Sequence, residues 1–213
     1  MKSFSHTRTL AVGVAGGIGS GKTEACKMFE SIGVRILYAD HIARDIIDSD
    51  AGIKKKIVKL FDEHVYVDGH LDRKYVARKI FGDEHLQQKM NAIVHPVVIQ
   101  HIDNIVQQAK RECTEAITMV EAALLFESGA DAMLDYVILI DADEEQRIER
   151  VMKRDTITRR AVLERIKSQM PVQESRRRAD FIIHNNGNLS QLKEQSQFLF
   201  RLLMSIARGP TSN

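Results

Sequence analysis

The sequence predicts an α/β fold in which a mostly parallel sheet is covered by helices, with one long helical segment inserted between two strands. Short apolar runs typical of buried strands alternate along the chain with longer stretches whose apolar residues recur at helical spacing. Strands separated by helices in this way form a parallel sheet with helices on both faces. The chain of 213 residues is long enough for one such domain with an insertion.

Five short, largely apolar segments are expected to form the strands of this sheet. They are residues 10–15, 34–38, 116–120, 136–140 and 181–183. The clearest helical patterns fill the intervals between these strands and follow the last of them. They are residues 23–32, 96–110, 144–153 and 189–207.

The interval between the second and third predicted strands is unusually long, at about 75 residues. It has the pattern of helices broken by polar turns at residues 50–52, 68–69 and 82–83. A crossover between parallel strands needs only about a dozen residues. We therefore expect residues 41–113 to form a helical insertion at the edge of the sheet where ligands bind.

The charge of the chain is nearly balanced, with a formal net charge of +2. This balance argues against a protein that binds nucleic acid through its overall charge. The basic residues are nevertheless concentrated locally, because residues 147–178 contain eleven lysines and arginines against four acidic residues. Such a segment is either a solvated helical face or a local binding site for a small anion.

The two cysteines, Cys26 and Cys113, lie far apart in the sequence and belong to no C-x-x-C pair. A metal or disulfide framework is therefore not expected, and a reducing compartment fits the composition. No segment approaches the roughly 20 apolar residues that a membrane span needs, and the N-terminus lacks the apolar region of a signal peptide. We expect a cytoplasmic protein with no membrane partner.

The most informative motif is GGIGSGKT at residues 16–23, which matches the phosphate-binding pattern G-x-x-x-x-G-K-[ST]. Glycines allow backbone N–H groups to turn toward phosphate oxygens, and the following helix adds its N-terminal dipole. Lys22 is expected to reach the β- and γ-phosphates, and the Thr23 hydroxyl to ligate Mg²⁺. The alternative is a glycine turn without a ligand. The predicted nucleotide-binding set is Gly17, Ile18, Gly19, Ser20, Gly21, Lys22, Thr23 and Glu24.

A phosphate-binding loop of this type occurs in several classes of protein, which the rest of the chain separates. GTPases add an N-K-x-D motif that reads the base, but no asparagine in this chain is followed by lysine. The basic segment instead has the pattern of two helices that carry Arg150, Arg154, Arg159 and Arg165. Basic helices that close over a triphosphate exclude water in small-molecule kinases. The alternative for each arginine is a position on a solvated face.

Two acidic residues follow predicted strands, at the sheet edge where ligands gather in open parallel sheets. Asp40 comes after the second strand, where a carboxylate can accept the proton of an attacking hydroxyl. Its alternative role is to cap a helix that begins at His41. Glu121 follows the third strand, where an acidic residue can bind a Mg²⁺-bound water. Its alternative is an ordinary carboxylate at a strand end.

Seven short motifs then occur in a familiar order. They are GGIGSGKT (16–23), ADHIAR (39–44), HP (95–96), LLFE (124–127), RD (154–155), AD (179–180) and NNG (185–187). From about residue 10 to residue 187, the chain resembles the dephospho-CoA kinase family. The resemblance implies ATP-dependent phosphorylation of the ribose 3′-hydroxyl of dephospho-CoA, the last step of coenzyme A synthesis, with ATP as co-substrate and Mg²⁺ as cofactor.

The resemblance also implies a three-layer P-loop kinase fold with a parallel sheet, a helical acceptor-binding insertion and a helical lid. Residues 1–40, 114–145 and 181–213 correspond to the nucleotide-binding core. Residues 41–113 correspond to the insertion that binds the CoA acceptor, and residues 146–180 to the lid. The oligomeric state is expected to be a monomer or a small homo-oligomer.

The same resemblance implies roles for individual residues. Asp40 is the general base that acts on the 3′-hydroxyl. Arg44, His95 and Glu127 line the acceptor site. Arg154 belongs to the lid over ATP and joins Asp40 and Lys22 as a catalytic residue. The loop near the adenine contains Asn185.

The chain departs from the family pattern at four positions. Tyr38 replaces the first acid of an Asp-Ala-Asp sequence, and Ala123 replaces a proline. Ser175 occupies a position where lysine is common, although Arg176–Arg178 could supply the charge, and Ala15 replaces a threonine. These departures leave Lys22, Thr23 and Asp40 in place.

Two alternatives to the function of a dephospho-CoA kinase remain. They are another P-loop small-molecule kinase, such as a nucleoside monophosphate kinase, and a P-loop ATPase or switch protein.

Overall fold

The computed structural model describes residues 8–209, whose main feature is a parallel five-stranded sheet. The strands of the described chain are β1 (Leu10–Ala15), β2 (Arg35–Tyr38), β3 (Tyr66–Val67), β4 (His70–Leu71), β5 (Ile117–Glu121), β6 (Tyr136–Asp141) and β7 (Phe181–His184). The sheet has the order β2-β5-β1-β6-β7, and every neighbouring pair is parallel. This arrangement confirms the predicted α/β fold.

Helices fill the intervals between these strands, as the apolar periodicity predicts. They are α1 (Lys22–Ser31), α2 (Ala39–Ser49), α3 (Ala51–Leu60), α4 (Arg73–Ile80), α5 (Glu84–Glu112), α6 (Glu144–Asp155), α7 (Arg159–Lys167), α8 (Val172–Arg178) and α9 (Leu189–Arg208). Short 3-10 helices lie at Glu63–Val65 and Ala130–Met133.

The central strand β1 is buried along its whole length, as expected for a parallel strand covered on both faces. Alternate residues of β1 pack with Phe29 of α1 and Leu203 of α9 in one hydrophobic core. The intervening residue Gly13 faces the other way. A Cβ atom there would lie 2.7 Å from side-chain carbons of Leu125 and Leu134. Close packing against the sheet therefore accounts for this glycine, as its place in the first predicted strand suggests.

The chain divides into two compact units. One contains residues 39–104, and the other contains the remaining described residues, 8–38 and 105–209. The larger unit includes the five-stranded sheet, the P-loop and helices α6 to α9. The smaller unit includes helices α2 to α4, the first part of α5 and the antiparallel pair β3–β4.

The sequence did not reveal the β3–β4 hairpin of the smaller unit, because strands of two residues are too short to leave a periodic pattern. Its turn uses Asp68 and Gly69, both with positive φ. The hairpin is held by the Asp48 carboxylate, which accepts a hydrogen bond of 3.0 Å from the Leu71 N–H. The Tyr66 hydroxyl donates to the Ile47 carbonyl at 3.1 Å. Helix α2 and the β3–β4 hairpin thus pack together within this unit.

The expected start of a helix at Pro96 was wrong. Helix α5 begins at Glu84, and Pro96 lies inside it. Proline favours a first helical turn, but here the apolar stripe continues on both sides of it. Its buried members are Met90, Val94, Val98, Ile102 and Val106. Their four-residue spacing keeps the buried face continuous through the proline, and this tertiary requirement outweighs the local breaking signal.

The basic segment forms three helices rather than the two that the sequence suggested. Helix α6 ends at Asp155 and is followed by Thr156, which adopts a left-handed conformation with φ 53°. Helix α7 begins after Thr158, whose hydroxyl accepts from the Ala161 N–H, and α8 begins after Pro171. A helix of seven residues such as α8 has too few apolar positions to be recognised by periodicity.

None of the helices described within residues 8–209 is both long and apolar enough to cross a membrane.

Candidate active site

The P-loop connects the carboxyl end of β1 to the first turn of α1. Gly21 precedes the helix with φ 95°, a conformation that L side chains rarely adopt. The Lys22 ammonium donates to the Gly16 carbonyl at 2.6 Å, so the lysine side chain folds back along the loop. Thr23 lies exposed in the first turn of α1. The loop therefore has the strand–loop–helix context that the motif requires for phosphate binding.

The structure brings Asn185, which follows β7, against this loop. Its side-chain amide donates to the Ser20 carbonyl at 2.8 Å, and its backbone N–H donates to the Asp141 carbonyl at 2.7 Å. The Asn185 side chain also lies where a Cβ atom on Gly21 would be placed. Asn185 is thus a buried contact between the last strand and the P-loop, although the sequence indicated only its membership in a loop motif.

Two arginines of α6 complete the support of the loop. Arg150 donates to the Asn185 carbonyl at 2.8 Å and to the Gln146 side chain at 3.1 Å. Arg147 is buried and donates from Nε to the Ile18 carbonyl at 3.0 Å. Burial lowers the pKa of Arg147 from its ordinary value. Both arginines therefore bind backbone carbonyls, one in the P-loop and one at Asn185 beside it.

A cavity of about 260 Å³ lies between the P-loop, the end of β6 and helices α6 to α8. Ser20 lines this cavity, and its buried hydroxyl oxygen has no hydrogen-bond partner within residues 8–209. Asp141 also lines it and is 4% exposed. The Arg176 guanidinium donates to Asp141 Oδ2 at 2.6 and 3.0 Å. The buried carboxylate is thereby neutralised by a cation from α8.

We expect Arg176→Ala to lower the free energy of unfolding by about 1–3 kcal/mol, because it leaves the Asp141 carboxylate buried without its main partner. The other nearby group is His184 Nδ1, at 3.5 Å from the same oxygen. Urea denaturation of the purified variant measures this change. The exposed neighbour Arg177 is the matched control, and Arg177→Ala should alter stability by less than about 0.5 kcal/mol. Equal stabilities of the two variants would contradict this account of Asp141.

Three further arginines of the basic segment, Arg154, Arg159 and Arg165, form surface ion pairs in this structure. Arg154 donates to Asp155 at 2.7 and 3.1 Å, and Arg165 donates to the same carboxylate at 2.8 Å. The hydrogen bond from Arg154 is the main cause of a lowered pKa at Asp155. Arg159 pairs with Glu145 at 2.6 and 2.8 Å. Exposed pairs of this kind are weak, so a phosphate can replace the carboxylate partner at low cost.

Glu121 ends β5 and is buried, with Tyr38 opposite it on β2 and Val14 on β1. Tyr38 packs against the hydrophobic core, and burial is the main cause of the raised pKa of its phenol. The phenol therefore stays neutral and does not replace the missing acid of the family pattern. Within the part of the chain that is described, no three side chains of the metal-binding types gather into a cluster.

The residues predicted to hold Mg²⁺, Thr23 and Glu121, offer a hydroxyl and a carboxylate oxygen, which are donor types that this ion prefers. Mg²⁺ in nucleotide sites keeps several waters and takes most of its other ligands from phosphates. Two protein oxygens would therefore leave most of the coordination of such an ion to phosphates and water. Glu24, by contrast, forms an exposed pair with Lys27 at 2.7 Å.

The smaller unit holds three of the predicted residues. Asp40 lies exposed in the first turn of α2, which begins at Ala39. The alternative in which Asp40 precedes and caps a helix starting at His41 is therefore wrong. Arg44 is exposed one turn further on and shares a face of α2 with Asp40. His95 is half-buried in α5, and burial lowers the pKa of its imidazole.

Glu127 lies in the larger unit, in the loop that follows β5. Its carboxylate accepts a hydrogen bond of 2.9 Å from the backbone N–H of Met170, between α7 and α8. Met170 follows Gln169, whose side-chain oxygen accepts from the Ile18 N–H of the P-loop at 2.8 Å. The loop after β5, the turn between α7 and α8 and the P-loop are therefore connected by hydrogen bonds.

Sequence reasoning did not single out several residues that support the site. They are Asp141, Arg147 and Gln169. Arg147 belongs to a run of charged residues, in which spacing alone does not separate a buried cation from solvated ones. Gln169 lies in a polar break between helices, where no periodicity applies. The position of Asp141 at the end of a predicted strand was the one available signal.

Comparisons with known proteins are consistent with this geometry. The model of the dephospho-CoA kinase family matches residues 10–191. A dephospho-CoA kinase from Syntrophotalea carbinolica is 34% identical over 202 residues, which cover 94% of this chain and 95% of the relative. One from Salinibacter ruber is 37% identical over 193 residues, covering 89% of this chain and 95% of the relative.

Solved structures give the same result. A protein from Thermus thermophilus has a TM-score of 0.77 at 31% identity, covering 92% of this chain and 99% of its own. The dephospho-CoA kinase of Campylobacter jejuni has a TM-score of 0.71 at 28% identity, covering 94% and 98%. Shikimate kinase from Acinetobacter baumannii shares the fold, with a TM-score of 0.54 at 14% identity. The chain belongs to the dephospho-CoA kinase family.

Proposed function

We propose that this chain transfers the γ-phosphoryl group of ATP to the ribose 3′-hydroxyl of dephospho-CoA, giving coenzyme A and ADP. The observation that carries the proposal is the P-loop with Lys22 and Thr23, in a chain of this family whose acceptor motif ADHIAR is intact. Phosphoryl transfer needs little covalent chemistry from the protein. The rate comes mainly from positioning and from stabilising charge on the transferred group.

The nucleotide phosphates lie against the P-loop, where backbone N–H groups and the N-terminus of α1 bind them. Lys22 leaves the Gly16 carbonyl and contacts the β- and γ-phosphates. The Asn185 side chain donates a hydrogen bond to the Ser20 carbonyl of the loop and borders the adenine. These roles are supported by the strand–loop–helix order and by the buried contacts of the loop.

Thr23 and, through water, Glu121 would hold Mg²⁺. When bound, this ion would supply positive charge that offsets the charge of the nucleotide phosphates. The support for these two residues is chemical, since a hydroxyl and a carboxylate oxygen suit this hard cation.

Asp40 accepts the proton of the attacking 3′-hydroxyl. Its support is the motif that contains it and its place two residues along the chain from the end of β2. Arg44, His95 and Glu127 bind the acceptor. The lowered pKa keeps His95 neutral near pH 7, so that it acts as a hydrogen-bonding group rather than as a cation.

Residues 146–180 act as the lid, and residues 41–113 as the acceptor-binding insertion. Arg154 exchanges its partner Asp155 for the γ-phosphoryl group when the lid closes over ATP. Closure excludes water and thereby favours transfer to the ribose over hydrolysis. The weak surface ion pairs of the lid arginines support this exchange.

An acceptor comparison tests the proposal. The purified protein is incubated with Mg·ATP and, in separate reactions, dephospho-CoA, AMP or no acceptor, and the products are identified by mass. We expect dephospho-CoA to gain one phosphoryl group and AMP to remain unchanged. Phosphorylation of AMP alone would indicate a nucleoside monophosphate kinase, and ATP hydrolysis without transfer would indicate an ATPase or switch protein. Either result would overturn the proposal.

A further inference from the structure

The backbone N–H and carbonyl of Ile18, near the start of the P-loop, both bind side chains from other elements. Its N–H donates to Gln169 Oε1 at 2.8 Å, and its carbonyl accepts from Arg147 Nε at 3.0 Å. The Arg147 guanidinium also fills the space that a Cβ atom on Gly17 would occupy. Both backbone hydrogen-bonding groups of Ile18 are therefore already satisfied by protein side chains.

The turn that presents Gln169 is fixed at a second point. The next residue, Met170, donates its backbone N–H to the Glu127 carboxylate at 2.9 Å. At the far end of α8, Arg178 pairs with Asp131 at 2.6 Å and lies 4.7 Å from the centre of the Phe126 ring. Helix α8 is thereby anchored at both ends to the loop after β5, which leaves the Gln169 side chain directed at the P-loop.

We propose that Gln169 is a positioning residue that couples the lid to the P-loop through the Ile18 N–H. The proposal rests on the kinase activity proposed above for the same site. An amide oxygen serves this purpose because it accepts the N–H bond without placing a negative charge beside the nucleotide phosphates. A carboxylate in the same place would hold the peptide equally well and would repel ATP.

Loss of this hydrogen bond frees the start of the P-loop and the α7–α8 turn from each other. The ATP-bound form then has to order both segments, and this cost appears in nucleotide affinity rather than in the chemical step. One hydrogen bond of about 1 kcal/mol corresponds to about a fivefold change in an equilibrium constant. We therefore expect Gln169→Met, which keeps the side-chain length and removes the acceptor, to raise KM for ATP about fivefold with kcat changed less than twofold.

Amide hydrogen exchange of the ATP-free protein, followed by NMR, provides a measurement independent of activity. Exchange at the Ile18 N–H should accelerate at least about fivefold in Gln169→Met, whereas Ala25, bonded within α1 to the Gly21 carbonyl, should be unaffected. Gln169→Glu should retain slow exchange at Ile18 and yet raise KM for ATP by more than Gln169→Met does. Gln173→Ala, at an exposed position on α8, is the matched control and should leave both quantities unchanged.

Two results would overturn the role of Gln169. One is unchanged exchange at Ile18 in Gln169→Met, and the other is accelerated exchange with an unchanged KM for ATP. Absence of transfer to dephospho-CoA in the unaltered protein would instead overturn the proposed function. The exchange comparison would remain interpretable in that case, so the two failures are distinguishable.

Discussion

Asp40→Asn is expected to lower kcat for phosphorylation of dephospho-CoA by about 10²-fold or more. The asparagine amide has nearly the same shape as the carboxylate but does not accept the hydroxyl proton. Asp40 lies exposed in the first turn of α2, so the substitution removes no buried contact. ATP binding should remain nearly unchanged, because the P-loop supplies the phosphate contacts.

Steady-state kinetics with both substrates and a fluorescence titration with an ATP analogue measure the two quantities separately. Asp45→Asn is the matched control, since Asp45 is an exposed acid on the same helix, and its kcat should stay within about twofold. A kcat for Asp40→Asn equal to that of Asp45→Asn would remove Asp40 from the mechanism.

Lys22→Met should have the second large effect, a loss of about 10³-fold in kcat/KM. In the proposed mechanism Lys22 contacts phosphate in the bound substrate and in the transition state, so weaker ATP binding should accompany slower transfer. This result differs from that expected for Asp40→Asn, in which binding survives. The substitution also removes the 2.6 Å hydrogen bond to the Gly16 carbonyl, which contributes only about 1 kcal/mol to stability.

Lys27→Met controls for the loss of a lysine from α1, because Lys27 is an exposed residue of the same helix. Its kcat/KM should be close to that of the unaltered protein. Circular dichroism and thermal unfolding verify that both variants are folded. Retention of more than a tenth of the original kcat/KM by Lys22→Met would contradict the assigned role of the P-loop lysine.

The sheet was predictable from the sequence because its strands are buried on both faces and leave continuous apolar runs. The first strand was placed at residues 10–15, as observed. Elements whose form depends on tertiary contacts were harder to predict. Helix α5 extends through Pro96 because buried side chains continue on both sides of it, and the β3–β4 hairpin is too short for any pattern.

The parts of the candidate site that consist of residues close together in the sequence could be predicted. The P-loop belongs to this class, since its glycines, lysine and threonine are contiguous. The contacts that hold the loop come from residues more than 120 positions away, such as Arg147 and Gln169. A single sequence contains no signal that pairs a glutamine in a turn with a distant backbone N–H. The contacts of Arg147 and Gln169 with the P-loop could therefore be identified only from the three-dimensional structure.

The position of the transferred phosphoryl group is the most direct test of the proposed function. Phosphorus NMR of the product formed from dephospho-CoA and Mg·ATP identifies the atom that carries it, and chromatography measures ADP. We predict one new phosphomonoester coupled to the ribose H3′, formed in an amount equal to ADP. Unchanged dephospho-CoA beside ADP and inorganic phosphate, or a phosphoryl group on any other atom, would contradict the assignment.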